Sequence, residues 1–283
     1  MTPRGWIAAA LVLAALAGVA AGESRFPPPE FETGHRLPQT SYPSARAAWL
    51  GWADVAALTV ALGLAAWFAL RRRSRRALAA LSVVSLAYFG FYRAGCVCPI
   101  GAIQNVAEAL ADGRYALPAT VALFFILPLA AALLFGRVFC GGVCPLGAAQ
   151  DVVLVRAARL PAWLEGALGV APFLYLGLAV LYAATGSDYL ICRYDPFVAF
   201  FRLSGPAPML LFGGAVLLVS MFIGRPYCRF ACPYGALLGI AARWAWRRAT
   251  ITPDTCIDCS LCREACPFGS IRVPSPAGLE EGK

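Results

Sequence analysis

The chain has 283 residues, 60% of them hydrophobic and only 14% charged, with a formal net charge of +9. A soluble domain carries about a quarter charged residues, so the composition excludes an ordinary water-soluble fold and points to a bilayer. Its basic balance does not indicate nucleic acid, because the arginines flank apolar runs and act there as topology signals.

Residues 5–21 form an apolar run behind Arg4 that ends in Val19-Ala20-Ala21. That pattern fits either a cleaved signal peptide or a first membrane helix. The polar, Pro-rich segment at about 22–46 is expected to be an exported loop. A second apolar run, about 47–70, ends in Arg71-Arg72-Arg73-Ser74-Arg75-Arg76. This arginine cluster assigns that end to the cytoplasm. Further apolar runs lie at about 77–94, 117–136, 167–185 and 207–224. Each is near the ~20 residues that span a bilayer as a helix. Threading from the arginine cluster sends 137–166, and 225 to the C-terminus, to the cytoplasm, and 95–116 and 186–206 outward. The expected fold is mostly α: a polytopic membrane bundle of five or six transmembrane helices, with a small ferredoxin-like module at a cytoplasmic C-terminus. Three parts are expected: 1–46 as leader or anchor plus exported loop, 47–249 as the bundle, and 250–283 as the ferredoxin-type module and tail. Asp54 lies inside an apolar run and is read as a paired or solvated carboxylate near the outer interface.

The redox-capable side chains are eleven cysteines; the single histidine, His35, lies in no apolar run. A membrane haem with His ligands is therefore excluded, and no C-x-x-C-H or G-x-G-x-x-G motif provides for c-type haem or a dinucleotide. Near the C-terminus Cys256, Cys259, Cys262 and Cys266, followed by Pro267, form C-x-x-C-x-x-C-x-x-x-C-P. This is the bacterial ferredoxin run for a [4Fe–4S] cluster, and zinc sites instead favour two separated C-x-x-C pairs. Its tail, C-x-x-x-C-P-x-G, recurs at Cys140 to Gly147 and at Cys228 to Gly235. The alternative is that these upstream cysteines merely pack as small hydrophobes.

Eight cysteines on the expected inner side, Cys140, Cys144, Cys228, Cys232, Cys256, Cys259, Cys262 and Cys266, supply four ligands for each of two [4Fe–4S] clusters. Either the tail set holds one cluster and the upstream pairs the other, or Cys232 and Cys266 exchange places as in two-cluster ferredoxins. Exchange is slightly favoured by the likeness of 228–235 to a ferredoxin end. Cys98 to Gln104 matches Cys144 to Gln150, with Cys96 just ahead. Threading puts Cys96, Cys98 and Cys192 outside, as a disulfide plus a spare thiol, a metal site such as copper, or a redox pair.

These paired C-x-x-x-C-P motifs, followed by a ferredoxin motif, resemble the membrane polyferredoxin family of the NosR/NapH type, with the FixG/CcoG proteins more distant. The resemblance covers about 77–272. It implies electron relay in a bacterial inner membrane between a quinol or cytoplasmic donor and an exported reductase or flavoprotein, with lipid as surroundings. It carries cluster ligation onto the eight cysteines named above. Two features depart from the family. One complete ferredoxin motif stands here where two are usual, and 22–46 is too short for the exported flavin domain of NosR, so no flavin is expected. The rival expectations are a copper reductase or assembly factor of the FixG/CcoG kind and a redox-sensing regulator.

Overall fold

The computed structural model describes residues 47–95, 99–155, 158, 160–202 and 207–247. It divides into two compact units, 1–51 and 52–283; beyond the first turn of its first helix, the described residues belong to the second. The expectations for 1–46, for Cys96 and Cys98, and for the ferredoxin motif at 256–266 lie outside the described residues.

All regular structure among the described residues is helical. Helix α1 (Ala48–Trp67) runs on through a π-helical turn to Arg72. The cluster that ends it makes the turn: Arg73 takes a left-handed conformation (φ 48°), and Ser74 caps α2 by accepting from Ala77 N at 3.3 Å. Helix α2 (Arg75–Ser85) likewise continues as π-helix to Tyr92. There follow α3 (Pro99–Ala111), α4 (Ala119–Phe135), α5 (Val138–Gly142), α6 (Pro145–Val153), α7 (Ala162–Leu168) and α8 (Ala171–Ala184). The remainder are α9 (Leu190–Tyr194), α10 (Pro196–Arg202), α11 (Ala207–Ser220), α12 (Pro226–Phe230) and α13 (Pro233–Ala241).

Helices stand at all five expected runs from 47 onward. Two, Ala48–Arg72 and Trp163–Ala184, are long and apolar enough to cross a membrane. The α10 and α11 pair, set at 101° to each other, adds a third if counted as one span. Lipid gives helices no hydrophobic drive to associate, so close contact must come from small side chains. Ala61, Ala65 and Ala66 on α1, Ala131 and Ala132 on α4, and Ala179 and Ala183 on α8 are accordingly buried. Large apolar side chains such as Val60, Leu211 and Leu218 face outward. Asp54 is buried and paired, 2.7 Å from Arg93 and accepting from the Tyr88 hydroxyl at 2.9 Å. This carboxylate is thus the paired group that its place in an apolar run suggests.

The connecting segments depart from expectation. Read as inner or outer loops, they form proline-started half-helices, α3, α6, α10 and α13, folded back into the bundle. Their residues Ile103, Leu146, Phe197, Tyr234 and Leu238 are core. At 7 to 13 residues these helices are too short to register as spans. The start of α6 meets the 186–206 segment: Gly95, Pro145, Leu146, Asp195, Phe197 and Phe201 line one small cavity. The two segments are therefore not held a bilayer's thickness apart, as threading would have them.

Candidate metal centre

One local unit recurs. A long apolar helix ends, a five-residue helix carries a cysteine at its third position, and a proline-started half-helix follows. The short helices are α5 with Cys140, α9 with Cys192 and α12 with Cys228. The residue before each proline is extended, as proline requires: Cys144 (ψ 116°), Asp195 (ψ 111°) and Cys232 (ψ 111°). Proline at the first helical position gives up an N–H that had no partner there anyway.

The glycine of C-P-x-G has a steric reason. A Cβ on Gly147 would stand 3.2 Å from the Cys140 carbonyl oxygen, and one on Gly235 3.1 Å from that of Cys228. Each glycine thus lets the short helix that carries the first cysteine lie directly on the half-helix that starts after the second. The motif is a packing device that brings its two thiols together.

Helices α6 and α12 are then joined by a buried amide. Gln150 Oε1 accepts from Tyr227 N at 3.1 Å, while Nε2 donates to Leu146 O at 3.0 Å and to Cys228 Sγ at 3.2 Å. Cys232 Sγ accepts from Gly235 N at 3.3 Å. Arg225 is buried and clamps the two motifs. Its Nε donates to Asp151 Oδ1 at 2.7 Å, its Nη2 pairs with Asp151 Oδ2, and its Nη1 donates to the Cys140 carbonyl. Its left-handed backbone (φ 49°) costs about 1–2 kcal/mol, which these bonds offset. Burial opposes the guanidinium charge, but Asp151 and the neighbouring Cys228 and Cys144 outweigh it and hold its pKa above the ordinary value.

Cys144 and Cys232 are buried and Cys140 and Cys228 half-buried, and the four thiols sense one another. Burial, then Cys144, pushes the Cys140 thiol up to about 12, against the pull of Arg137 and Arg225. Burial raises Cys144, opposed by the Gly147 backbone and Arg225. Burial and then the adjacent cysteines push Cys228 and Cys232 well above the usual thiol range. Four thiolates here need a positive centre between them, and ligation deprotonates a thiol outright. Among the described residues, no three His, Cys, Asp or Glu side chains converge on a single ion. The cage of an iron–sulfur cluster holds its ligands further apart than one ion does. Donor chemistry, burial, N–H groups aimed at sulfur and two nearby guanidinium groups all fit a cluster that is negative overall.

Of the eight expected ligands, the structure describes Cys140, Cys144, Cys228 and Cys232 and brings them together. Cys192 is exposed, on α9. Sequence reasoning missed Arg225, Gln150 and Asp151, although G-R-x-aromatic-C recurs at 136–140 and 224–228. It also missed that Asp195 precedes Pro196 as Cys144 and Cys232 precede their prolines, though three residues after Cys192 rather than four.

Comparisons with known proteins bear on the same residues. One family model, described as a 4Fe-4S binding domain, matches three times, at 77–118, 116–170 and 205–251. A second, of the same description, matches 249–272. The chain is 28% identical over 182 residues to YccM of Escherichia coli (strain K12), whose name assigns it to electron transport; this covers 58% of the chain and 51% of YccM. It is 32% identical over 126 residues to the protein NirI of Paracoccus denitrificans (strain Pd 1222), covering 41% of the chain and 18% of NirI. The chain thus spans about half the length of one relative and about a fifth of the other. No solved structure matches it significantly. The chain therefore carries 4Fe-4S binding domains both along its helical bundle and at its C-terminal end.

Proposed function

We propose that the chain is a membrane-bound iron–sulfur electron-transfer protein of the NosR/NapH type. It relays electrons between a quinol or cytoplasmic donor and an exported reductase or flavoprotein. The carrying observation is the set of four buried or half-buried thiols, Cys140, Cys144, Cys228 and Cys232, gathered by two copies of one motif. The relation to YccM supports the electron-transport reading. The chain works in a bacterial inner membrane with its ferredoxin module in the cytoplasm, and Cys256, Cys259, Cys262 and Cys266 hold a cluster there.

A [4Fe–4S] cluster bound by the four bundle thiols supplies one-electron storage. The chain's own residues fix its surroundings. Gln150 and the Gly235 N–H stabilise negative charge on sulfur, and Arg137 and Arg225 stabilise the site as a whole. Backbone ties hold residues 246–247 against α4. Trp246 N and Arg247 N donate to Leu133 O and Leu134 O, at 2.9 and 3.1 Å, satisfying carbonyls at the end of α4.

The test is iron and sulfide analysis with EPR on the full chain purified in detergent, before and after chemical reduction. A reducible [4Fe–4S] signal that quinol or a cytoplasmic donor can fill is expected. Intact protein with no such signal overturns the proposal.

A further inference from the structure

Each half of the four-thiol centre opens with G-R-x-aromatic-C, at Gly136 to Cys140 and at Gly224 to Cys228. Arg137 and Arg225 therefore stand at the starts of the two short helices, α5 and α12. Each side chain crosses to the half-helix of the other unit. Arg225 lies on α6: a Cβ on Gly147 would stand 3.3 Å from its Nη1, and its Nε reaches Asp151 Oδ1 at 2.7 Å. Arg137 lies on α13: a Cβ on Gly239 would overlap its Nη2 and stand 3.3 Å from its Cζ.

The two end points are equivalent positions. Asp151 stands six residues after Pro145, and Gly239 six residues after Pro233. The crossing is reciprocal, but what each arginine meets differs. Arg225 is buried and meets a carboxylate, which cancels much of its field. Arg137 is exposed, meets a glycine, and has no carboxylate partner among the described residues. Glycine weakens a helix relative to alanine, so its place inside α13 calls for a reason. Room for the Arg137 guanidinium is such a reason, because a Cβ would take that room away. Against the burial that opposes it, a negative Cys140 is favoured by Arg137 and less strongly by Arg225.

We infer that Arg137 is the charge that raises the reduction potential of the bundle cluster, and that Gly239 is the positioning residue that seats it. Arg225, neutralised by Asp151, holds the two units together instead. Accepting one electron from the donor adds one negative charge at the four-thiol site. A guanidinium beside that site, with no carboxylate of its own, favours the reduced state. This inference rests on the proposed function, since it takes the four-thiol set to hold a cluster.

The test is a redox titration followed by EPR on the purified full chain and on R137Q, R137K, G239A and the double variant R137Q/G239A. The species followed is the one that C228S removes. R137Q should make reduction about tenfold less favourable, a fall of about 59 mV for a one-electron couple, with iron and sulfide unchanged. R137K keeps the charge and should stay near the parent. G239A pushes the guanidinium off its seat and should lower the potential by less than R137Q does. The double variant should match R137Q, because the seat then has no charge to place. If R137Q does not accumulate, G239A gives the reading, since it keeps the arginine and every thiol. Parent-like potentials in R137Q and G239A, or R137K as low as R137Q, overturn this inference and leave the proposed function standing. So does a double variant that falls below R137Q by as much as G239A falls below the parent. A parent chain without any cluster overturns both.

Discussion

The two halves of the repeat share a frame and differ in what fills it. At the four-thiol centre each proline-started helix is preceded by cysteine, the bridging glutamine is fully bonded and a buried arginine clamps the parts. At the Cys192 position the residue before the proline is Asp195, three residues on rather than four, and the bridging glutamine keeps an N–H with no partner among the described residues. No arginine precedes Cys192 as Arg137 and Arg225 precede Cys140 and Cys228. A short cysteine-bearing helix before a proline-started helix thus recurs, while spacing and side chains decide charge and satisfaction at each copy.

The comparison can be broken most directly by C228S. It should abolish the bundle cluster, seen as loss of that EPR species and its iron, because three remaining thiols cannot complete an all-cysteine set. The next largest effect concerns the clamp. D151A strands the buried Arg225 guanidinium and should lower stability by about 3 kcal/mol. R225M leaves only the half-exposed Asp151 behind and should cost less, about 2 kcal/mol. Thermal unfolding in detergent checks the order; equal losses would mean that the clamp is not the buried charge pair described.

Glycine variants sharpen the contrast between the halves. G147A drives a Cβ against the Cys140 carbonyl at 3.2 Å and should destabilise by about 1 kcal/mol despite better helix propensity. G101A meets only Cys192 Sγ at 3.7 Å, an ordinary contact, and should stabilise by about 0.5–1 kcal/mol in the same assay. The smallest effect is electronic. Q150L removes the N–H donor to Cys228 Sγ and should lower the midpoint potential of the bundle cluster by on the order of 50 mV, about 1 kcal/mol of lost charge stabilisation. Q104L should leave that potential unchanged in the same redox titration.

Much of the centre was legible in the residues. The C-x-x-x-C-P-x-G repeat gave four of its cysteines, and the five apolar runs from 47 onward are helices. What pattern reading lost were the half-helices, because a helix of 9 residues buried on most sides leaves neither a span-length run nor a clear amphipathic period. The loss propagated: with α3, α6, α10 and α13 taken for loops, threading separated segments that share a cavity. Asp195 escaped notice because cysteine spacing alone does not reveal a carboxylate placed before a proline.

The sequence by itself determined the chemistry and the local geometry. Thiol identity, spacing and the prolines act over a few residues, and the extended residue before each proline follows from sterics alone. Only the tertiary structure decided which units meet. That α6 joins α12 through Gln150, that α3 joins α9 through Gln104, and that Arg225 reaches Asp151 and Cys140 are contacts between residues 74 to 88 positions apart. Such pairings depend on how whole helices pack, which no local pattern encodes.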